Sequence, residues 1–235
     1  MKILGLDSSG LVASVAVVED DNLLAEFTIN YKKTHSQTLL PMLDEAARMI
    51  ELDLKTIDAI ALAAGPGSFT GLRIGAATAK GLGLALDKPL IAVPTVEALA
   101  YNLWGSSALV APLMDARRSQ TYTGLYSFEE GALTVIEPQC VTGIEDIVAK
   151  VNDQGRSVVF LGDGVPVFGS YIRENCSVPY SFAPAHMNKQ RAASVAALGE
   201  IYYSRGQVQR AEEHRPEYLR LSQAERERLE QAHEG

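Results

Sequence analysis

Residues 65–75 read GPGSFTGLRIG. The run follows an apolar stretch, IDAIALAAG at 57–65, and leads into GLRIGAATAKGLGLAL at 71–86. The first has the length and composition of a buried strand; the second is a helix rich in small residues. A glycine-rich turn between strand and helix can present backbone N–H groups to phosphate. It can instead let two backbones approach more closely than a side chain would permit. The spacing here is neither G-x-G-x-x-G nor a P-loop ending in Lys-Ser/Thr, and the next lysine, Lys80, lies well into the helix. Gly71, Gly75 and Ala79 recur every four residues and line one helix face, which Ala76 and Gly83 broaden. The pattern favours close packing over a phosphate cradle.

Upstream, KILGLDSS (2–9), ASVAVVED (13–20) and NLLAEFTIN (22–30) read as three strands in a meander. SQTLLPMLDEAARMI (36–50) places Leu39, Leu40, Leu43, Ala46, Ala47 and Ile50 at helical spacing, with Ser36 as N-cap. Downstream, PLIAVP (89–94) is a buried strand and TVEALAYNL (95–103) a helix. The pattern then restarts. ALVAPLMDAR (108–117) ends in an acid, as KILGLDSS does at Asp7; QTYTGLYSF (120–128) alternates; EEGALTVI (129–136) repeats the acidic turn and third strand. GIEDIVAKVND (143–153) is a helix, SVVFLGDG (157–164) a strand entering the helix VPVFGSYIREN (165–175), and NKQRAASVAALGEIYYSRG (188–206) the last helix. An internal repeat of this kind fixes the architecture: two α/β lobes of βββαβα order facing each other across a cleft. The expected units are residues 1–106, residues 107–211 and a charged tail at 212–235 that ends as an exposed helix or extension.

The chain has 235 residues, 47% hydrophobic and 21% charged, enough for a real core in each lobe. No apolar run reaches the roughly 18 residues of a membrane span. The start enters a strand pattern directly, so the expected location is cytoplasmic. Cys140 and Cys176 have no CxxC partner and read as ordinary thiols. A net charge of −8 disfavours nucleic-acid binding by the chain alone, and the basic pairs Lys32-Lys33 and Arg117-Arg118 read as solvated surface.

Two βββαβα halves resemble the actin-like ATPase (ribonuclease H-like) superfamily. Within it, ILGLDSS, HSQTLLPML at 35–43, AAGPGSFTGLRIGAATAKGLGLAL at 63–86 and DARRSQTY at 115–122 resemble the TsaB/YeaZ family over essentially the whole chain. That resemblance implies an accessory, non-catalytic subunit for making threonylcarbamoyladenosine beside the tRNA anticodon. It implies pairing with the catalytic TsaD through the first two helices, with the ATPase TsaE joining them. It also implies tRNA contact only through the complex and a homodimer when the partner is missing. On the helices, Leu39, Leu43, Leu72, Gly75, Ala76 and Ala79 are the expected interface positions. TsaD-type relatives hold a metal with two histidines four positions apart; here those positions fall on Thr95 and Leu99, and leucine cannot ligate. No metal and no cofactor are therefore expected.

Any residual nucleotide would meet Asp7, Ser8, Asp115, Gly162 and Gly164. The alternative reading, an ATP-binding kinase or ATPase of the superfamily, would use Asp7 and Asp115 around Mg²⁺ and phosphate. Against it, Gly10 arrives late in the first hairpin, and Ala116-Arg117-Arg118 crowd the second. Other chemistry is sparse. His35 precedes a helix without an acid partner; His186, His214 and His233 lack ligand spacing; Ser68 is not in a G-x-S-x-G elbow.

Overall fold

The computed structural model describes residues 1–31 and 34–220. The expected helix or extension at the end of the tail, residues 221–235, and the Lys32-Lys33 pair lie outside the described residues.

Two five-stranded sheets share one topology. In the first, β1 (Lys2–Asp7), β2 (Ala13–Glu19) and β3 (Asn22–Ile29) form an antiparallel meander. β4 (Ala59–Gly65) runs parallel to β1, and β5 (Leu90–Pro94) parallel to β4, giving the order β3-β2-β1-β4-β5. In the second, β6 (Leu109–Asp115), β7 (Gln120–Glu129) and β8 (Ala132–Gly143) repeat the meander. β9 (Val158–Leu161) and β10 (Tyr180–Phe182) repeat the parallel side, in the order β10-β9-β6-β7-β8. The duplicated unit read from the sequence is thus a duplicated actin-like, ribonuclease H-like sheet. β10 is an addition. Its three residues are too few to carry a period.

The helices are α1 (His35–Met49), α2 (Phe69–Leu86), α3 (Thr95–Tyr101), α4 (Ile144–Gln154), α5 (Val165–Asn175) and α6 (Ala192–Ser204). α1 and α2 cover the outer face of the first sheet, where Leu4, Leu6, Val15, Leu39, Leu43, Ile60, Leu62, Ala76 and Ala79 share one core. α4 and α5 cover the second sheet in the same way, around Leu113, Ile147, Val151, Phe160 and Ile172. α3 and α6 pack against each other between the sheets. α6 lies on the inner face of the first sheet with Ile3, Ala61, Ile91 and Val195. α3 meets the second sheet through Val96, Leu99, Val110 and Tyr126. Strands buried on both faces explain why β1 and β4 read as continuous apolar runs. Among the described residues no helix is long and apolar enough to cross a membrane.

α6 comes from the second half of the chain yet completes the first sheet. The sequence permits this by removing side chains: a methyl on Gly5 would overlap the carbonyl of Ala192, and one on Gly199 would sit 2.6 Å from the Ala61 methyl. The helix starts four residues later than its spacing suggests, because its cap is not local. Ala192 N–H donates to Ser14 Oγ (2.9 Å) and Ala193 N–H to Glu26 Oε1 (3.2 Å), while Arg191 pairs with Glu26. An acid from β3 thus serves the positive end of a distant helix. α1 also differs from expectation: Thr34, not Ser36, holds the cap position, and no side chain caps it.

Past α6, residues 206–220 form a strap back along the first lobe. Gln209 and Leu90 exchange backbone hydrogen bonds of 2.9 Å, which closes the free edge of β5. Ala211 enters the outer core and His214 is buried. Lys80 Nζ donates to the carbonyls of Glu212 and His214.

Two glycine substitutions should move stability in opposite directions in urea denaturation. Gly5→Val should cost about 1–3 kcal/mol or more, because a backbone carbonyl cannot yield. Gly81→Ala, on the open face of α2 with nothing within 4 Å, should stabilise by about 0.4–1 kcal/mol.

Candidate functional site

The glycine loop lies where β4 meets α2, at the junction of both lobes and the strap. Each glycine of the motif faces a neighbouring main chain or side chain. Gly65 has φ +124°, and a methyl there would overlap the Glu217 carbonyl of the strap. On Gly67 it would overlap the Ser9 carbonyl, on Gly71 the Ser8 carbonyl, and on Gly75 the Ser8 hydroxyl. Hydrogen bonds fasten the same contacts: Ser68 N–H donates to the Ser9 carbonyl (2.7 Å), Ser8 Oγ–H to the Gly71 carbonyl (2.9 Å), and Glu217 N–H to the Ala64 carbonyl (2.7 Å). Ser68 caps α2 by accepting from Gly71 N–H. Tyr218 stacks on Phe69 with centroids 4.6 Å apart, and the Arg73 guanidinium lies 4.0 Å over the same ring. Arg220, at the end of the strap, donates to the Ala116 carbonyl in the second lobe.

Between the lobes is a cleft of about 250 Å³, lined by Ser9, Gly10, Gly67 and Ser68 on one side and Asp115, Arg117, Tyr122 and Asp163 on the other. Of the expected nucleotide positions, only Asp115 lines it. Its carboxylate is occupied: one oxygen accepts from Arg117 N–H (2.8 Å) and the other from the Arg117 guanidinium (3.0 Å). Ser8 points to α2 instead. Gly162 and Gly164 pack on the backbone of Leu113, with Gly164 N–H donating to its carbonyl (2.9 Å). Asp163, between them, is the group the sequence did not single out. It accepts from Asp115 N–H (3.1 Å), and burial raises its pKa.

Asp7 is fully buried. One oxygen accepts from the Ser9 N–H and hydroxyl, and the other has no partner among the described residues. Burial outweighs these bonds and the nearby His35, and pushes the carboxyl up to about 6. His35 opens α1 and places Nε2 2.9 Å from the Gly10 carbonyl, tying the first hairpin to the helix.

The six expected interface residues all face inward: Leu39, Leu43, Leu72, Gly75, Ala76 and Ala79 are buried in the chain's own packing. The reason is periodicity. The apolar and small stripes that mark these helices are the ones the sheet covers. Their opposite faces present Leu40, 51% exposed, and Leu84, 56% exposed, with Ala77 and Gly81 on the same side of α2 as Leu84. Thr95 Oγ1 accepts from Gly65 N–H (3.1 Å), and Leu99 is buried in the core between α3 and the second sheet.

Asp7 gives a pH test. Its folded pKa, about 6, stands above the ordinary aspartate value of 3.8. The native chain therefore keeps a proton that the unfolded chain releases near pH 4. This contribution to stability is present in acid, falls as pH rises from about 4 to about 6, and is gone above. The change is about 3 kcal/mol. Asp7→Asn should flatten the stability profile across that window, measured by urea unfolding at several pH values; an unchanged slope would exclude Asp7 as its source.

The family model for tRNA N6-adenosine threonylcarbamoyltransferase, TsaD, matches residues 22–228. The tRNA threonylcarbamoyladenosine biosynthesis protein TsaB of Bacillus subtilis is 32% identical over 227 residues, 96% of each chain. The protein of the same name from Escherichia coli is 33% identical over 151 residues, 60% of this chain and 64% of its own. Among solved structures, a Pseudomonas aeruginosa protein described as similar to peptidase YeaZ superposes with a TM-score of 0.78 at 27% identity, covering 93% of this chain and 99% of its own. With the duplicated sheet and the packed glycine loop, these relationships show that the chain belongs to the TsaB/YeaZ family.

Proposed function

We propose that this chain acts in tRNA threonylcarbamoyladenosine biosynthesis as a non-catalytic pairing subunit. It joins TsaD- and TsaE-type partners in transferring the threonylcarbamoyl group to the adenosine beside the anticodon. The names of its relatives give the pathway. One observation carries the non-catalytic reading. At the two positions where a catalytic relative would hold a metal, Thr95 is engaged by the Gly65 N–H and Leu99 fills the core. A buried leucine offers no ligand, and freeing Thr95 would leave a buried N–H unpaired. The packed glycine loop supports the same reading, since its glycines are occupied by Ser8, Ser9 and Glu217.

Pairing uses the outward faces of α1 and α2. Leu40 and Leu84 are large apolar side chains left in water, and Ala77 and Gly81 let a partner helix come close. The buried residues beneath them hold the two helices in place. Without TsaD the same surface pairs with a second copy of the chain.

Reconstitution tests the role. TsaD, TsaE, threonylcarbamoyl adenylate, ATP and unmodified tRNA should give at least tenfold less modified tRNA when this chain is left out. Equal yield without it sinks the reading, as would ATP turnover by the chain alone. Leu40→Asp with Leu84→Asp should weaken TsaD binding by roughly a hundredfold, as loss of two interface anchors does. Because both side chains are exposed, the melting temperature should stay unchanged.

A further inference from the structure

A second hollow, of about 410 Å³, shares no lining residue with the cleft. It opens between α6, the β7–β8 turn and α3. Its apolar walls are Leu133 and Val135 of β8 and Leu198 and Ile201 of α6. Two polar groups converge in its inner part, the half-buried Glu97 and Tyr202, and the tyrosine hydroxyl donates to the Glu97 carboxylate. A concave apolar space of this size with a few convergent polar groups is the usual form of a small-molecule site.

The charge of Glu97 is unanswered. Among the described residues it forms no ion pair, and Tyr202 is its only hydrogen-bond partner. Burial raises its pKa, the Tyr202 hydrogen bond offsets part of that rise, and the carboxylate of Glu217 adds to it. The phenol of Tyr126, fully buried and without a hydrogen-bond partner among the described residues, is also pushed up by burial and then by Glu97. Arg205 and Glu130 line the outer part, both exposed; the Arg205 charge reaches Tyr202, but it makes no ion pair with Glu97 among the described residues. A half-buried carboxylate among phenols and aliphatic walls is costly without a cation. An anionic ligand would meet Glu97 and be repelled. A neutral one would leave it unpaired.

We propose that this hollow binds a small organic ammonium ion, with its N–H groups donating to Glu97 and its alkyl body against Leu133, Val135, Leu198 and Ile201. The occupant is an aliphatic amine in its protonated form. This inference is independent of the pairing function, because the hollow lies away from the outward faces of α1 and α2.

The molecule carries its own reporter. Its one tryptophan, Trp104, donates its indole N–H to the Gly131 carbonyl (2.9 Å), and Gly131 lines the hollow. The full chain is titrated with n-pentylammonium chloride at pH 7.5 while Trp104 fluorescence and melting temperature are followed. Pentan-1-ol and sodium pentanoate are the matched neutral and anionic probes. Saturable binding of the ammonium on the order of 1 mM is expected, given its few heavy atoms. Pentanol should bind at least tenfold more weakly, and pentanoate should give no saturable change. Glu97→Gln should cost at least tenfold in ammonium affinity, and Glu130→Gln less than twofold. Ile201→Phe, which fills the hollow and keeps Glu97, should also abolish binding, so the test survives if Glu97→Gln does not fold. Equal binding of pentanol and pentylammonium, or unchanged affinity in both Glu97→Gln and Ile201→Phe, would overturn the proposal.

Discussion

The contact between the first hairpin and α2 sets the position of everything else. Ser8 and Ser9 sit at the end of β1, and their carbonyls lie where Cβ atoms of residues 71 and 67 would be. Only glycine admits that approach. The helix is thereby seated low on the sheet, and Ser8 binds its first turn. Buried Asp7 stands directly beneath, held by Ser9 and near His35 of α1. One short segment therefore locates the strand, both outer helices and the near wall of the cleft. A carboxylate kept in such a place is a burden on the folded state near neutral pH, which suits a position inherited for chemistry more than one chosen for stability.

The same contact answers what the glycine run is for. Phosphate-binding loops keep main-chain N–H groups free for a ligand. Here Ser68 N–H goes to Ser9, Gly71 N–H to the Ser68 side chain and Gly65 N–H to Thr95. The geometry of strand, turn and helix is that of a binding loop, while these three donors are spent within the protein. A fold can thus keep the frame of a binding loop while the loop itself serves packing.

Much of this was legible in the residues. The repeat was visible because each lobe restarts with an apolar strand ending in Asp7 or Asp115 and then alternates. Close packing was visible in the interval of Gly71, Gly75 and Ala79. What escaped was the direction of packing. Periodicity marks the buried stripe of a helix but not its cover: Leu39, Leu43, Ala76 and Ala79 read as partner-facing, yet they pack into the core of the chain's own first sheet, and Leu72 is buried as well. The strap escaped for another reason. Its ties at Gln209 and Glu217 are backbone to backbone, and such bonds leave no side-chain signature. Asp163 was hidden inside a turn that glycines on either side explained well enough. The distant cap of α6 by Ser14 and Glu26 could not be read from residues near Arg191 at all.

The placement of α6 and the strap has a temporal consequence. The inner face and the β5 edge of the first sheet are closed by residues 192–220, although its last strand ends at Pro94. During synthesis at about 5–20 residues per second, the roughly hundred residues between them take on the order of 5–20 s to emerge. Through that interval the first sheet must wait with Ile3, Ala61 and Ile91 uncovered. The second lobe, whose sheet and outer helices are contiguous in the chain, has no such delay. The half made first is the half completed last, and a nascent chain of this protein offers chaperones an unfinished apolar sheet for most of its time on the ribosome.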